Sequence, residues 1–211
     1  MEPFRSVTGA AAPLLIDDIN TDQIIPSAWL RRMDADLAEG LFAYLRRRPD
    51  GSSNTDFVLE QPQFRQARIL VTGSNFGCGS SREHAAWAMA AFGIRAVVAR
   101  SHADIFRENC LKNGILAITL PHQDMNELIA RVHAVDGREP FTIDLEAEEI
   151  RGPGGYVRAF AIAPHERTAL LEGLDDIGLT LKHVDDISEW ERRTSSHRPF
   201  LQTFTIRDRD P

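Results

Sequence analysis

The chain has 211 residues, 43% of them hydrophobic and 26% charged, the composition of an ordinary globular protein of one or two domains. Acidic residues outnumber basic ones by 31 to 24, and the resulting net charge of −7 argues against a nucleic-acid binder. No run approaches the roughly 18–20 apolar residues that cross a bilayer, and two cysteines are too few for a disulfide framework, so a cytoplasmic setting is expected.

Taken in chain order, the first 56 residues alternate short apolar runs with turn formers. The run Leu14-Leu15-Ile16 leads into Asp17-Asp18-Ile19-Asn20-Thr21-Asp22, whose short polar side chains bond to nearby backbone and predict a loop. Residues 41–48 predict two helical turns ending before Pro49, followed by a surface loop over 50–54. The region 27–56 is expected to be mobile without a partner.

The centre carries the strongest pattern. Residues 69–72 are β-branched and apolar and end at Gly73, which predicts a buried strand. A glycine-rich loop over 73–79 follows, then an apolar stripe through Ala85, Ala86, Met89 and Ala90 at helical spacing. Ile94 and residues 96–99 predict a second strand. Residues 103–112 predict a helix stopped by Asn113-Gly114, and 115–120 a third strand closed by Pro121. This order predicts an α/β architecture with right-handed crossovers and a partly parallel sheet flanked by helices.

Residues 125–132 predict one more helix, and 141–145 alternate as a half-buried strand. A turn over 152–155 leads into a hairpin arm at 156–162, and 164–172 predict a helix with proline in its first turn. Residues 1–184 are read as one domain and 185–211 as a charged peripheral tail.

The loop Gly73-Ser74-Asn75-Phe76-Gly77-Cys78-Gly79-Ser80-Ser81-Arg82-Glu83-His84 is the candidate site. Its glycines let the backbone turn and expose successive N–H groups, and the following helix adds its positive end. Arg82 supplies a planar fork for a carboxylate or phosphate, and Ser80 or Ser81 is a candidate base or nucleophile. The same residues also read as structure. Ser80-x-x-Glu83 is a capping box, which on spacing alone outweighs catalysis. His84 fits a plain helix position, and Cys78 fits a small packed residue.

Other motifs fail on specifics. A phosphate-binding Walker loop needs lysine after its last glycine, and a dinucleotide fingerprint needs a small residue where Arg82 stands. Cys78 and Cys110 are too far apart for a zinc pair, and neither serine lies in a G-x-S-x-G elbow. A free-standing hydrolase using Ser80 or Cys78 with His84 as base remains open on spacing.

Four ordered segments carry a family resemblance: Asn20-Thr-Asp-Gln-Ile-Ile-Pro26, the loop from Gly73 to Trp87, Ala103-Asp-Ile-Phe-Arg-Glu-Asn-Cys-Leu-Lys-Asn-Gly-Ile-Leu116, and Gly173-Leu-Asp-Asp-Ile-Gly-Leu-Thr-Leu181. Together they resemble the aconitase swivel-domain family, in particular the small subunits of 3-isopropylmalate dehydratase. The resemblance implies a β/β/α swivel fold and a hydro-lyase reaction in leucine biosynthesis, with this chain inactive alone. It implies a large-subunit partner holding a four-iron–four-sulfur cluster, and no metal or cofactor bound by this chain. By the motif match Ser80 would be the general base, with Ser81, Arg82 and Arg31 binding substrate. Gly77, Cys78, Gly79, Glu83 and His84 would shape the loop. The resemblance also makes a region at about 27–56, beginning with the run 27–36, the substrate-specificity loop. Two features depart from the family pattern, namely Met33-Asp34-Ala35-Asp36 in that run and His102, where relatives carry phenylalanine. They leave open another 2-hydroxy acid of homoaconitase or methylmalate type, and a non-catalytic anion-binding module is the third reading.

Overall fold

The structure, a computed structural model, describes residues 1–31 and 36–197. It divides into two compact units, Met1–Leu174 and a second that begins at Asp175.

The first unit is built on two four-stranded sheets. Strands β1 (Ser6–Gly9) and β2 (Ala11–Leu14) are separated by one residue yet enter different sheets. Short helices α1 (Thr21–Ile24), α2 (Ser27–Leu30), α3 (Leu37–Gly40) and α4 (Ala43–Arg46) follow. Then come β3 (Ile69–Thr72), α5 (His84–Phe92), β4 (Ala96–Ala99), α6 (Asp104–Lys112) and β5 (Leu116–Thr119). Helix α7 (His122–Val135) leads to β6 (Phe141–Asp144), β7 (Glu149–Gly152), β8 (Tyr156–Ala159) and α8 (Pro164–Glu172). The parallel and antiparallel strands segregate. One sheet is all parallel in the order β2-β3-β4-β5, the other all antiparallel in the order β1-β6-β7-β8.

The parallel sheet is covered on both faces, which is why its strands read as continuous apolar runs. Ile69, Val71, Ala96, Val98, Leu116 and Ile118 point into a core shared with α7 and the antiparallel sheet. Leu70, Val97 and Ala117 point the other way, into a core with α5, α6 and the helical segment after β2. The alternation is the period-2 rule of a strand. Helix α5 buries Ala85, Ala86, Ala88 and Met89, whereas Ala90 of the expected stripe faces solvent. Small side chains let the helix lie close against the sheet, so burial spreads around it beyond a single stripe.

Residues 36–60 are packed into that second core. Leu41 and Phe42 are fully buried, and Phe57 packs on Phe42 with ring centroids 5.7 Å apart. Arg46 Nε donates to Glu60 Oε1 at 2.7 Å, and Ser53 Oγ donates to Glu60 Oε2 at 2.6 Å. Burial alone would raise the Glu60 carboxyl, but those two bonds outweigh it and hold it below the ordinary value. Any mobility of this region has to break those contacts. Residues 32–35 of the expected specificity run, 27–36, lie outside the described residues.

The second unit contains α9 (Asp176–Leu181), capped by Asp175, whose carboxylate accepts the Gly178 N–H at 2.7 Å, and α10 (Val184–His197). Residues 185–197, read from sequence only as charged tail, are therefore helical, and 198–211 lie outside the described residues. No helix among the described residues is long and apolar enough to cross a membrane.

Candidate active site

Adjacent parallel strands β2 and β3 deliver their following turns side by side at one sheet edge. The two turns are laced together. Ser74 N–H donates to Asp17 Oδ1 at 2.6 Å, Asn75 Nδ2 to Asp18 Oδ1 at 2.8 Å, and Gly77 N–H to Ile19 O at 2.8 Å. Thr21 N–H returns a bond to Cys78 O at 2.9 Å. From the opposite side, the turn after β4 receives Asn75 N–H on Ser101 Oγ at 2.7 Å and Phe76 N–H on Ser101 O at 3.1 Å. The glycine loop is thus clamped between the turns after β2 and β4.

Its path demands glycine at two points. Gly77 has φ +79°, and a Cβ there would lie 2.1 Å from the Phe106 ring. Gly79 has φ +91°, in the left-handed region that side chains avoid.

The loop corrects the capping-box reading. Helix α5 begins only at His84, with Glu83 as its N-cap and no side-chain cap bond. Glu83 instead accepts from Asn113 Nδ2 at 2.9 Å, which ties the start of α5 to the end of α6. Ser80 is left outside the helix and exposed. The capping box that does form is Asn20-x-x-Gln23, where Gln23 N–H donates to Asn20 Oδ1 and Asn20 N–H to Gln23 Oε1, both at 2.9 Å. The sequence signal for it, Asn followed three residues later by Gln, lay within the stretch expected to be loop.

Among the described residues the backbone N–H groups of Gly79, Ser80, Ser81 and Arg82 have no hydrogen-bond acceptor, so four successive donors stand unpaired ahead of α5. Such a run, with the helix start behind it, is an anion cradle. Ser80 Oγ meets one polar side chain, the Thr21 hydroxyl at 3.5 Å. Ser81 is exposed, and its carbonyl accepts from Asn109 Nδ2 at 3.5 Å.

Arg82 is held in a bidentate pair with Asp22, at 2.5 Å from Nη1 to Oδ1 and 3.2 Å from Nη2 to Oδ2. That pairing uses the outer end of the guanidinium and leaves the edge formed by Nε for a second carboxylate. Asp22 is a site residue to which sequence reasoning gave no role. Arg31 is the exposed C-cap of α2, and the described contacts of the loop do not include it. Cys78 is half-buried, its Sγ donating to Asp18 O at 3.4 Å. The His84 ring packs on Trp87 with centroids 4.5 Å apart, and no hydrogen bond joins it to Ser80 or Cys78. The nucleophile–histidine pair of a hydrolase is therefore not assembled.

His102 lies directly behind the loop, bridged to Phe76. Its Nδ1 is 3.2 Å from Thr119 Oγ1, its ring stacks on Phe106, and its Nε2 is sealed from solvent without a partner. Burial, reinforced by the Arg107 charge, lowers its pKa to about 4, so it is neutral at pH 7.

The donor set does not fit an iron–sulfur cluster, which cysteine thiolates hold. The sequence has two cysteines, and burial pushes the Cys110 thiol far up, keeping it protonated. Among the described residues no three His, Cys, Asp or Glu side chains converge on a metal-sized point.

The aconitase C-terminal domain family matches residues 1–123, and the C-terminal domain family of 3-isopropylmalate dehydratase small subunits matches residues 176–204. A 3-isopropylmalate dehydratase small subunit from Azorhizobium caulinodans is 48% identical over 202 residues, covering 95% of this chain and all of that one. The small subunit from Mesorhizobium japonicum is 47% identical over 201 residues, with the same coverage. A solved structure of 3-isopropylmalate dehydratase from Methanocaldococcus jannaschii superposes with a TM-score of 0.60 at 27% identity, covering 87% of this chain and 98% of that one. The two sheets with their helices are thus the aconitase swivel-type fold, and the chain belongs to the family of 3-isopropylmalate dehydratase small subunits.

Proposed function

We propose that this chain is the small subunit of a hydro-lyase that isomerises 2-isopropylmalate to 3-isopropylmalate through 2-isopropylmaleate, in leucine biosynthesis. The observation that carries the reading is Ser80, an exposed serine outside any helix. It stands in a run of four unpaired N–H groups beside Arg82.

Serine is a poor base because its hydroxyl ionises far above neutral pH, and only preorganised donors make the alkoxide accessible. The N–H cradle and the start of α5 are such donors. Ser80 Oγ removes the proton from the carbon beside a carboxylate, and that electron pair becomes the double bond as hydroxide departs from the neighbouring carbon. Water then adds with the opposite regiochemistry to give the 3-hydroxy isomer. Arg82 takes a substrate carboxylate on its Nε edge while Asp22 holds its other end, and the Ser81 N–H assists. Arg31 is the further cation offered to substrate. Gly77 and Gly79 set the loop's path, while Cys78, Glu83 and His84 shape it.

The leaving hydroxyl is handled by a large-subunit partner, expected to carry a four-iron–four-sulfur cluster, and no step at that group is assigned to this chain. Two free thiols suit a reducing cytoplasm. The test is anaerobic co-expression with a cluster-bearing large subunit, following 2-isopropylmaleate by ultraviolet absorbance. Turnover with both chains and none with either alone is the expected result. A stable, cluster-loaded complex silent toward 2-isopropylmalate would overturn the substrate and direct attention to other 2-hydroxy acids.

A further inference from the structure

Ser80 has a neighbour that the reaction as described does not use. Thr21 is 1% exposed, with its Oγ1 3.5 Å from Ser80 Oγ and 3.4 Å from Ser80 O. Its position is fixed twice over. Its N–H is bonded to Cys78 O, and the Asn20–Gln23 capping box closes the turn around it. A β-branched side chain is also stiff at χ1, so the hydroxyl has little freedom to turn away.

A threonine hydroxyl has one proton to give, and here two oxygens of the same residue compete for it at nearly equal, long distances. With Ser80 protonated, the carbonyl and the hydroxyl are acceptors of similar strength. Once Ser80 loses its proton, the oxyanion becomes the stronger acceptor by far, the Thr21 O–H swings onto it, and the bond shortens as a charge-assisted one. The donor therefore favours one protonation state of Ser80 over the other, which is the requirement for altering a base. Burial keeps bulk water from competing for the same proton.

We propose that Thr21 is a positioning residue whose buried hydroxyl aims Ser80 Oγ and stabilises its deprotonated form. The inference rests on Ser80 being the base. The titratable and charged groups of the two laced turns are Asp17 and Asp18, bonded to Ser74 and Asn75, and Asp22, Cys78, Arg82, Glu83 and His84. Asp22 is paired with Arg82, and Glu83 is tied to Asn113. On α6, which reaches the loop through Asn109, Arg107 is paired with Glu166. A substitution at Thr21 removes no ionisable group and none of these pairs involves its side chain, so a change in pH profile is expected to report on Ser80.

The test compares Thr21→Val, Thr21→Ser and Ser80→Ala in the reconstituted two-subunit enzyme with 2-isopropylmalate. Thr21→Val is expected to lower kcat about 10- to 100-fold with KM within about threefold, and to move the acidic limb of the kcat profile to higher pH. Thr21→Ser, which keeps the donor, is expected to remain within about threefold of wild type. If Thr21→Val does not assemble, Thr21→Ala measures the same loss of hydroxyl without needing a packed methyl. An inactive Ser80→Ala beside a Thr21→Val of unchanged kcat and pH profile would overturn the role of Thr21 alone. Equal losses in Thr21→Ser and Thr21→Val would also overturn it, because packing and not the hydroxyl would then be at work. An active Ser80→Ala would remove the reading beneath it.

Discussion

Two turns of this molecule carry the same capping signature, and only one of them caps. Asn20-x-x-Gln23 closes reciprocally around α1, whereas Ser80-x-x-Glu83 stays open and α5 starts four residues beyond Ser80. The difference lies in what surrounds each. At Gly77 and again at Gly79 the chain takes left-handed φ, and it is pinned to the turns after β2 and β4, so it reaches Ser80 in no position to begin a helix. Glu83 is meanwhile drawn off by Asn113. The pattern is a local offer, and tertiary bonds decide whether it is taken up. A serine released from capping, with free N–H groups around it, is available for chemistry.

Breaking the pinned path should have the largest structural effect. Gly77→Ala adds a Cβ at positive φ against the buried Phe106 ring, and the expected loss is at least about 3 kcal/mol in urea unfolding of the isolated chain. A loss below about 1 kcal/mol would mean that the loop path is soft and that the contrast between the two turns has another cause.

The support behind the loop gives a pH-dependent effect. The His102 pKa is lowered to about 4 in the folded chain against an ordinary 6.5, so the unfolded chain binds the extra proton first as pH falls. Stability is full above about pH 6.5 and declines toward pH 4, by at most about 3 kcal/mol. His102→Phe is expected to flatten that decline in unfolding curves taken across the same range. An unchanged slope would show that other groups carry the acid sensitivity.

The smallest effects sharpen the comparison itself. Asn20→Ala removes a formed cap and should destabilise by about 1 kcal/mol. Ser80→Ala removes none and should stay within about 0.5 kcal/mol of wild type.

The centre of the fold was legible because its strands are buried on both faces. Residues 69–72 and 96–99 were found at the bounds they have in the structure. Strands β1 and β2 left little signal. Ala11-Ala12-Pro13-Leu14 is poor strand composition, and Pro13 is tolerated because β2 is the edge of its sheet. Helix α10 was missed because its charged sequence hides an otherwise ordinary amphipathic pattern. At the site, the glycines and Ser80-Ser81-Arg82 announced themselves as a single run. Thr21 and Asp22 did not, since they stand nearly sixty residues earlier and meet the loop only through the parallel pairing of β2 with β3. Proximity of that kind is written in the register of a sheet and leaves no trace in local spacing.

The central claim, that Ser80 is a catalytic base and not a helix cap, is tested most directly by one substitution read in two ways. Ser80→Ala is assayed for turnover of 2-isopropylmalate in the assembled anaerobic enzyme and for stability by urea unfolding, with Asn20→Ala as the capping comparison. The expected result is a loss of turnover of about a thousandfold or more with stability unchanged within about 0.5 kcal/mol. Near-normal turnover with a stability loss matching that of Asn20→Ala would contradict the account and return Ser80 to a structural role.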